Sequence, residues 1–125
     1  MYVYCNPNPH GRNVGDCAVR ALCIVTGKDW YDIQFDLTAV GAAFGDMANS
    51  NDVWGEYAKL YGFKRYLIPD TCPSCYTVAD FANDHKEGTY LLGTGSHVVA
   101  VIDGNYIDAW DSGKEVPFYF WKKEQ

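Results

Sequence analysis

Cys17, His97 and Asp108 are the side chains whose types and placement suit nucleophilic chemistry. Cys17 follows Gly15-Asp16 and opens a run in which Ala18, Ala21, Leu22 and Val25 recur at helical spacing, so it falls in the first turn of a helix. There the helix dipole and the unpaired amides favour a thiolate, and the same amides can hold an oxyanion. His97 leads into Val98-Val-Ala-Val-Ile102, which turns back at Asp103-Gly104 into Tyr106-Ile107-Asp108. With Asp103 and Gly104 as the loop of a type I′ turn, Ile102 faces Asn105 and His97 faces Trp110. Asp108 then shares the face of His97, one diagonal step away. A thiol, an imidazole and a carboxylate so arranged supply a nucleophile, its base and the group that orients the base.

Each residue also has a plainer reading. Cys17 can be a buried small hydrophobe, His97 a half-buried strand histidine bonded to a neighbour, and Asp108 an acceptor for an amide at a strand end. The register also leaves a rival acid, because a bulged three-residue loop of Ile102, Asp103 and Gly104 reverses the parity and selects Asp111. The Asp-Gly pair suits the two-residue turn, and Asp111 before Ser112-Gly113 is placed to cap turn amides, so Asp108 is favoured.

Cys72-Pro-Ser-Cys75 is the second cysteine feature. It lies between an expected strand and an expected helix, the setting of a thioredoxin-like thiol-disulfide motif. As a zinc site it is half complete, with Cys5, Cys23, His10 and His85 as scattered completers. The alternative is a loop whose cysteines pack or form a regulatory disulfide. Cys5 and Cys23 read as structural, and His85 and Lys86 as cations near a helix C-terminus.

These side chains must be positioned by elements that the pattern also predicts. A short strand over 2–5 precedes a turn-rich loop, and Asp16 caps a helix over 17–26 that ends at Gly27. Asp29 caps a second helix through Trp30, Ile33, Leu37 and Val40, and Asn51 a third through Val53, Trp54, Tyr57 and Leu60. A strand over 63–68, a Thr-capped helix over 77–85, and strands over 89–93, 96–102, 106–110 and 116–121 complete the chain. Helices followed by antiparallel strands predict an α+β fold in one domain spanning 1–125.

The chain has 125 residues, 48% hydrophobic and 21% charged, with 10 Tyr, 6 Phe and 4 Trp, enough aromatic material for a core without a metal or disulfide staple. A net charge of -6, with no basic run longer than Lys122-Lys123, argues against nucleic acid and anionic membranes as partners. No apolar stretch approaches the roughly 20 residues of a spanning helix. Five cysteines, and an N-terminus without a basic region and apolar core, fit reduced thiols in a cytoplasmic compartment.

Gly15-Asp-Cys-Ala-Val-Arg-Ala-Leu22 and Ser96-His-Val-Val-Ala-Val-Ile-Asp-Gly-Asn-Tyr-Ile-Asp108 resemble the two signature segments of papain-like cysteine peptidases, in particular small bacterial and phage members. The second segment is also similar to the His strand of NlpC-type cell-wall peptidases, in which the His and the third polar residue have a comparable separation. The resemblance implies N-terminal helices carrying the nucleophile packed on a C-terminal antiparallel sheet. It also implies acyl transfer through a thioester, with Cys17 as nucleophile, His97 as base then acid, and Asp108 as orienter. A protein or peptide substrate follows, with no cofactor and no metal. The pattern departs at one point: papain-like enzymes usually carry an oxyanion Gln, commonly six residues before the Cys, and here that residue is Gly11. Asn13, Asn8 and Asn6 carry side-chain amides nearby, each equally at home in a turn. Two other readings remain, a thioredoxin-like oxidoreductase using Cys72 and Cys75, and a catalytically inactive binding module on the same fold.

Overall fold

The computed structural model describes residues 1–124 as a mixed α+β fold of four helices and one six-stranded sheet. In chain order the elements are β1 (Tyr2–Tyr4), α1 (Cys17–Thr26), α2 (Trp30–Phe44), α3 (Asn51–Leu60), β2 (Phe63–Leu67) and α4 (Val78–Asp84). Then come β3 (Thr89–Gly93), β4 (Val98–Ile102), β5 (Asn105–Asp108) and β6 (Tyr119–Lys123).

Local chemistry sets most of these boundaries. Gly27 takes a left-handed conformation and returns its amide to the Cys23 carbonyl, which closes α1. Asp29 accepts from the Asp32 amide and starts α2; Thr77 and Asp80 form a capping box on α4. Asn51 is not a cap: Ser50 holds that position, and Asn51 instead accepts from the Trp54 indole at 3.0 Å.

The sheet runs β1-β5-β4-β3-β6-β2. All pairings are antiparallel except β1 with β5, which corrects the expectation of a purely antiparallel C-terminal sheet. The N-terminal segment lays β1 along the outer edge of β5, and the Cys5 amide bonds the Asp108 carbonyl at 2.9 Å. β2 closes the other edge. The hairpin has Ile102 opposite Asn105, with Asp103 and Gly104 both at positive φ, as a type I′ turn requires.

The two sheet faces bury separate clusters. Side chains of β3, β4 and β6 alternate, so that Leu91, Val98, Ala100, Tyr119 and Trp121 face α1 and α3, over which α2 packs. Tyr90, Leu92, Val99 and Val101 face α4 on the other side. Because α1 lies between the sheet and α2, residues 18 to 23 are buried all round the helix, Arg20 included. Leu22 is fully buried there, and truncating such a side chain to Ala costs about 2–5 kcal/mol.

Candidate functional site

Cys17 is the first residue of α1, and the strand ends of β4 and β5 lie beneath it. β4 begins at Val98, two residues later than the expected start at Ser96, so His97 stands just before it. A turn holds it there, in which the Thr94 amide donates to the His97 carbonyl at 2.8 Å. Asp108 ends β5. The two-residue turn sets the parity between these strands, and the imidazole Nε2 lies 2.6 Å from Asp108 Oδ2. The carboxylate can only accept, so Nε2 carries the proton and Nδ1 faces away from Asp108, with the ring close enough to Cys17 to act on its thiol. Trp110 packs its ring against His97 at 4.8 Å between centroids.

Burial is the largest influence on both groups of this pair, and it opposes charge on each. It is outweighed. Hydrogen bonds from His97 and the Val98 amide, with the charges of His97 and Arg20, hold the Cys17 thiol below its ordinary value. On His97, the hydrogen bonds and charges of Asp108 and Cys17 raise the imidazole to about 9. Both shifts run in the direction that favours thiolate and imidazolium, and the thiolate is the reactive form of cysteine.

Asp108 is 4% exposed and held from every side. Ser112 Oγ donates to Oδ2 at 2.7 Å, the Ala109 amide to Oδ1 at 2.7 Å, and Tyr2 donates to the Asp108 carbonyl at 3.2 Å. Arg20 Nη2 lies 3.9 Å from Oδ1. Asp111, the rival acid, accepts from Tyr106 at 2.8 Å and from the Gly113 amide at 3.0 Å, the turn-capping role its neighbours suggested.

Arg20 was not singled out in the sequence. It pairs with Asp16 four residues earlier and with Asp108, while its Nε stays buried without a partner. Asp16 occupies the cap position of α1 but makes no cap hydrogen bond, which corrects its reading as an N-cap. Its carboxylate turns inward to accept from Arg20, from the Trp30 indole at 2.9 Å and from Asn8 at 3.0 Å. The first-turn amides of α1 therefore have no side-chain acceptor from the cap position.

Asn6 and Asn8 are committed to the turn. Asn8 Oδ1 accepts from the amides of His10 and Arg12, and Asn6 bridges the Asn8 amide and the Arg12 carbonyl. Asn13 is exposed. Cys72 and Cys75 form a disulfide, contrary to the expectation of reduced thiols throughout. It lies in the loop before α4, whose amides are capped by Thr77, so neither sulfur sits at a helix N-terminus as a thioredoxin-like motif requires. Cys23 is buried and its thiol is pushed up to about 12, chiefly by burial, which disfavours the thiolate. His85 bonds the Phe81 carbonyl and stacks on the Phe81 ring. Among the described residues no group of three or more His, Cys, Asp or Glu could hold a metal ion, so Cys5, Cys23, His10 and His85 do not complete a zinc site. No helix among them is long and apolar enough to cross a membrane.

The chain matches no protein-family model, no curated protein and no solved structure.

Proposed function

We propose that this chain is a papain-like thiol hydrolase that cleaves an amide bond in a protein or peptide. The observation that carries the reading is the run Asp108 to His97 to Cys17, with the thiol at an uncapped helix N-terminus. The order of the parts, nucleophile on an early helix and base and orienter on later strands, supports the papain-like assignment. The chain's acidity supports a protein or peptide substrate over nucleic acid.

The chemistry follows from the charge states. The Cys17 thiolate attacks the carbonyl carbon, and the first-turn amides of α1 take the negative charge that develops on its oxygen. The His97 imidazolium gives its Nδ1 proton to the leaving nitrogen; the C–N bond breaks, and a thioester remains on Cys17. The now neutral imidazole takes a proton from water, whose oxygen attacks the thioester. The C–S bond breaks, the acid departs, and thiolate and imidazolium are restored. Asp108 holds Nε2–H throughout and keeps Nδ1 aimed at the sulfur.

The test is alkylation by iodoacetamide near neutral pH, followed by peptide mapping. Modification should concentrate on Cys17, be far slower at Cys5 and Cys23, and drop in His97→Ala. Equal modification of Cys5 and Cys17, or rates at Cys17 indifferent to His97, would reduce the chain to a binding module without a catalytic thiol.

A further inference from the structure

A groove of about 670 Å³ opens between α3 and the β6–β2 edge, with Tyr119 and Trp121 as its floor and Asp52, Glu56, Lys59 and Arg65 on its walls. It lies on the Cys17 face of the sheet. Gly93 pairs with Val98 on one side and with Tyr119 on the other, so the three form one row across β4, β3 and β6. The phenol end of Tyr119 lies over Gly93, where any Cβ would collide with it, and so extends from the groove toward Val98 and Cys17. Two strand spacings of about 4.8 Å separate Val98 from Tyr119, the span of about three extended residues.

The direction of that span follows from the imidazole. His97 must reach the leaving nitrogen, and it lies on the β5 side of Cys17 against Asp108. The acyl part of a substrate therefore runs the other way, across the Tyr119 phenol that covers Gly93.

The groove charges are unequal in their partners. Asp52 stands in the first turn of α3, where the helix dipole offsets it, and Glu56 is paired with Lys59 at 3.2 Å. Arg65 has no acidic partner among the described residues; its guanidinium lies over the Tyr119 ring, 4.4 Å from the centroid. Held over the ring without an acidic partner, the guanidinium keeps the forked donors suited to bidentate capture of a carboxylate.

We propose that this groove is the acyl-side subsite and that Arg65 selects a substrate with an acidic side chain two to three residues before the scissile bond. The inference rests on the hydrolase reading above. Its test uses the vinyl sulfones acetyl-Xaa-Xaa-Gly, with Xaa as Glu, Ala or Lys, which need the subsite, beside iodoacetamide, which does not. The Glu probe should inactivate about tenfold faster than the Ala probe and faster still than the Lys probe. In Arg65→Glu the order should reverse, with the iodoacetamide rate unchanged. Equal rates for the three probes, or an order that survives Arg65→Glu while iodoacetamide still labels Cys17, would overturn the subsite and leave the hydrolase reading standing. Failure of iodoacetamide to select Cys17 would remove both.

Discussion

Replacing Asp108 with Asn keeps the side chain's shape and deletes the charge that His97 faces. The raise of that imidazole from 6.5 to about 9 corresponds to about 3 kcal/mol in favour of the charged ring, shared between Asp108 and Cys17. Losing Asp108 removes the foremost of the interactions that raise the imidazole, and burial, which works against charge on both groups, is then less opposed. The Cys17 thiolate loses its counter-ion in turn. At about pH 6.5 its alkylation should slow by at least about tenfold, since each pH unit of thiol shift is a tenfold change in thiolate. The assay is the second-order rate constant for iodoacetamide at Cys17 across the pH range. The unaltered chain should be reactive well below the ordinary thiol range, and Asp108→Asn should retain only the rise expected of an isolated thiol. Superimposable profiles would refute the claim that the carboxylate charge sustains the ion pair.

Three further outcomes follow. Arg20→Met leaves Asp16 and Asp108 buried without their shared cation and should cost about 3–5 kcal/mol in urea unfolding, against about 1–2 kcal/mol for Ser112→Ala, which removes one buried hydrogen bond. In Cys17→Ala, His97 keeps its Asp108 partner and a raised folded-state pKa. That contribution to stability is complete below about pH 6.5 and is lost as pH rises through the folded value, so the urea midpoint should fall over that window, and the fall should vanish in the double variant with Asp108→Asn. Asp111→Ala, which touches only Tyr106 and the Gly113 amide, should leave the alkylation profile of Cys17 unchanged.

The parts of this site that local rules govern were legible in the sequence. The helix start at Cys17 follows from periodicity, and the choice of Asp108 over Asp111 follows from one dipeptide, because Asp103-Gly104 fixes a two-residue loop and hence the parity of the returning strand. The parts that depend on what packs against what were not. Arg20 reads as an ordinary helical cation until α2 covers the outer face of α1 and forces its charge to find Asp16 and Asp108. Asp16 has the residue type and position of a cap, yet three donors, two of them buried, compete for its carboxylate and win. β1 has three residues, too few for a register signal, so its parallel pairing with β5 emerges only when the sheet edge exists. The row of Val98, Gly93 and Tyr119 likewise joins strands that are far apart in the chain, and the only trace it leaves is a glycine at the end of β3.

The central claim is that Cys17 carries an acyl group in the course of a hydrolysis driven by His97. The most direct measurement is the chain's reaction with p-nitrophenyl acetate, quenched in acid and mapped by mass spectrometry, with the release of nitrophenol followed in parallel. Acetyl on Cys17 at early times, its loss as turnover proceeds, and the absence of both in His97→Ala are the predicted result. Acetyl confined to lysines or to Cys5, or equal acylation of Cys17 with and without His97, would contradict it.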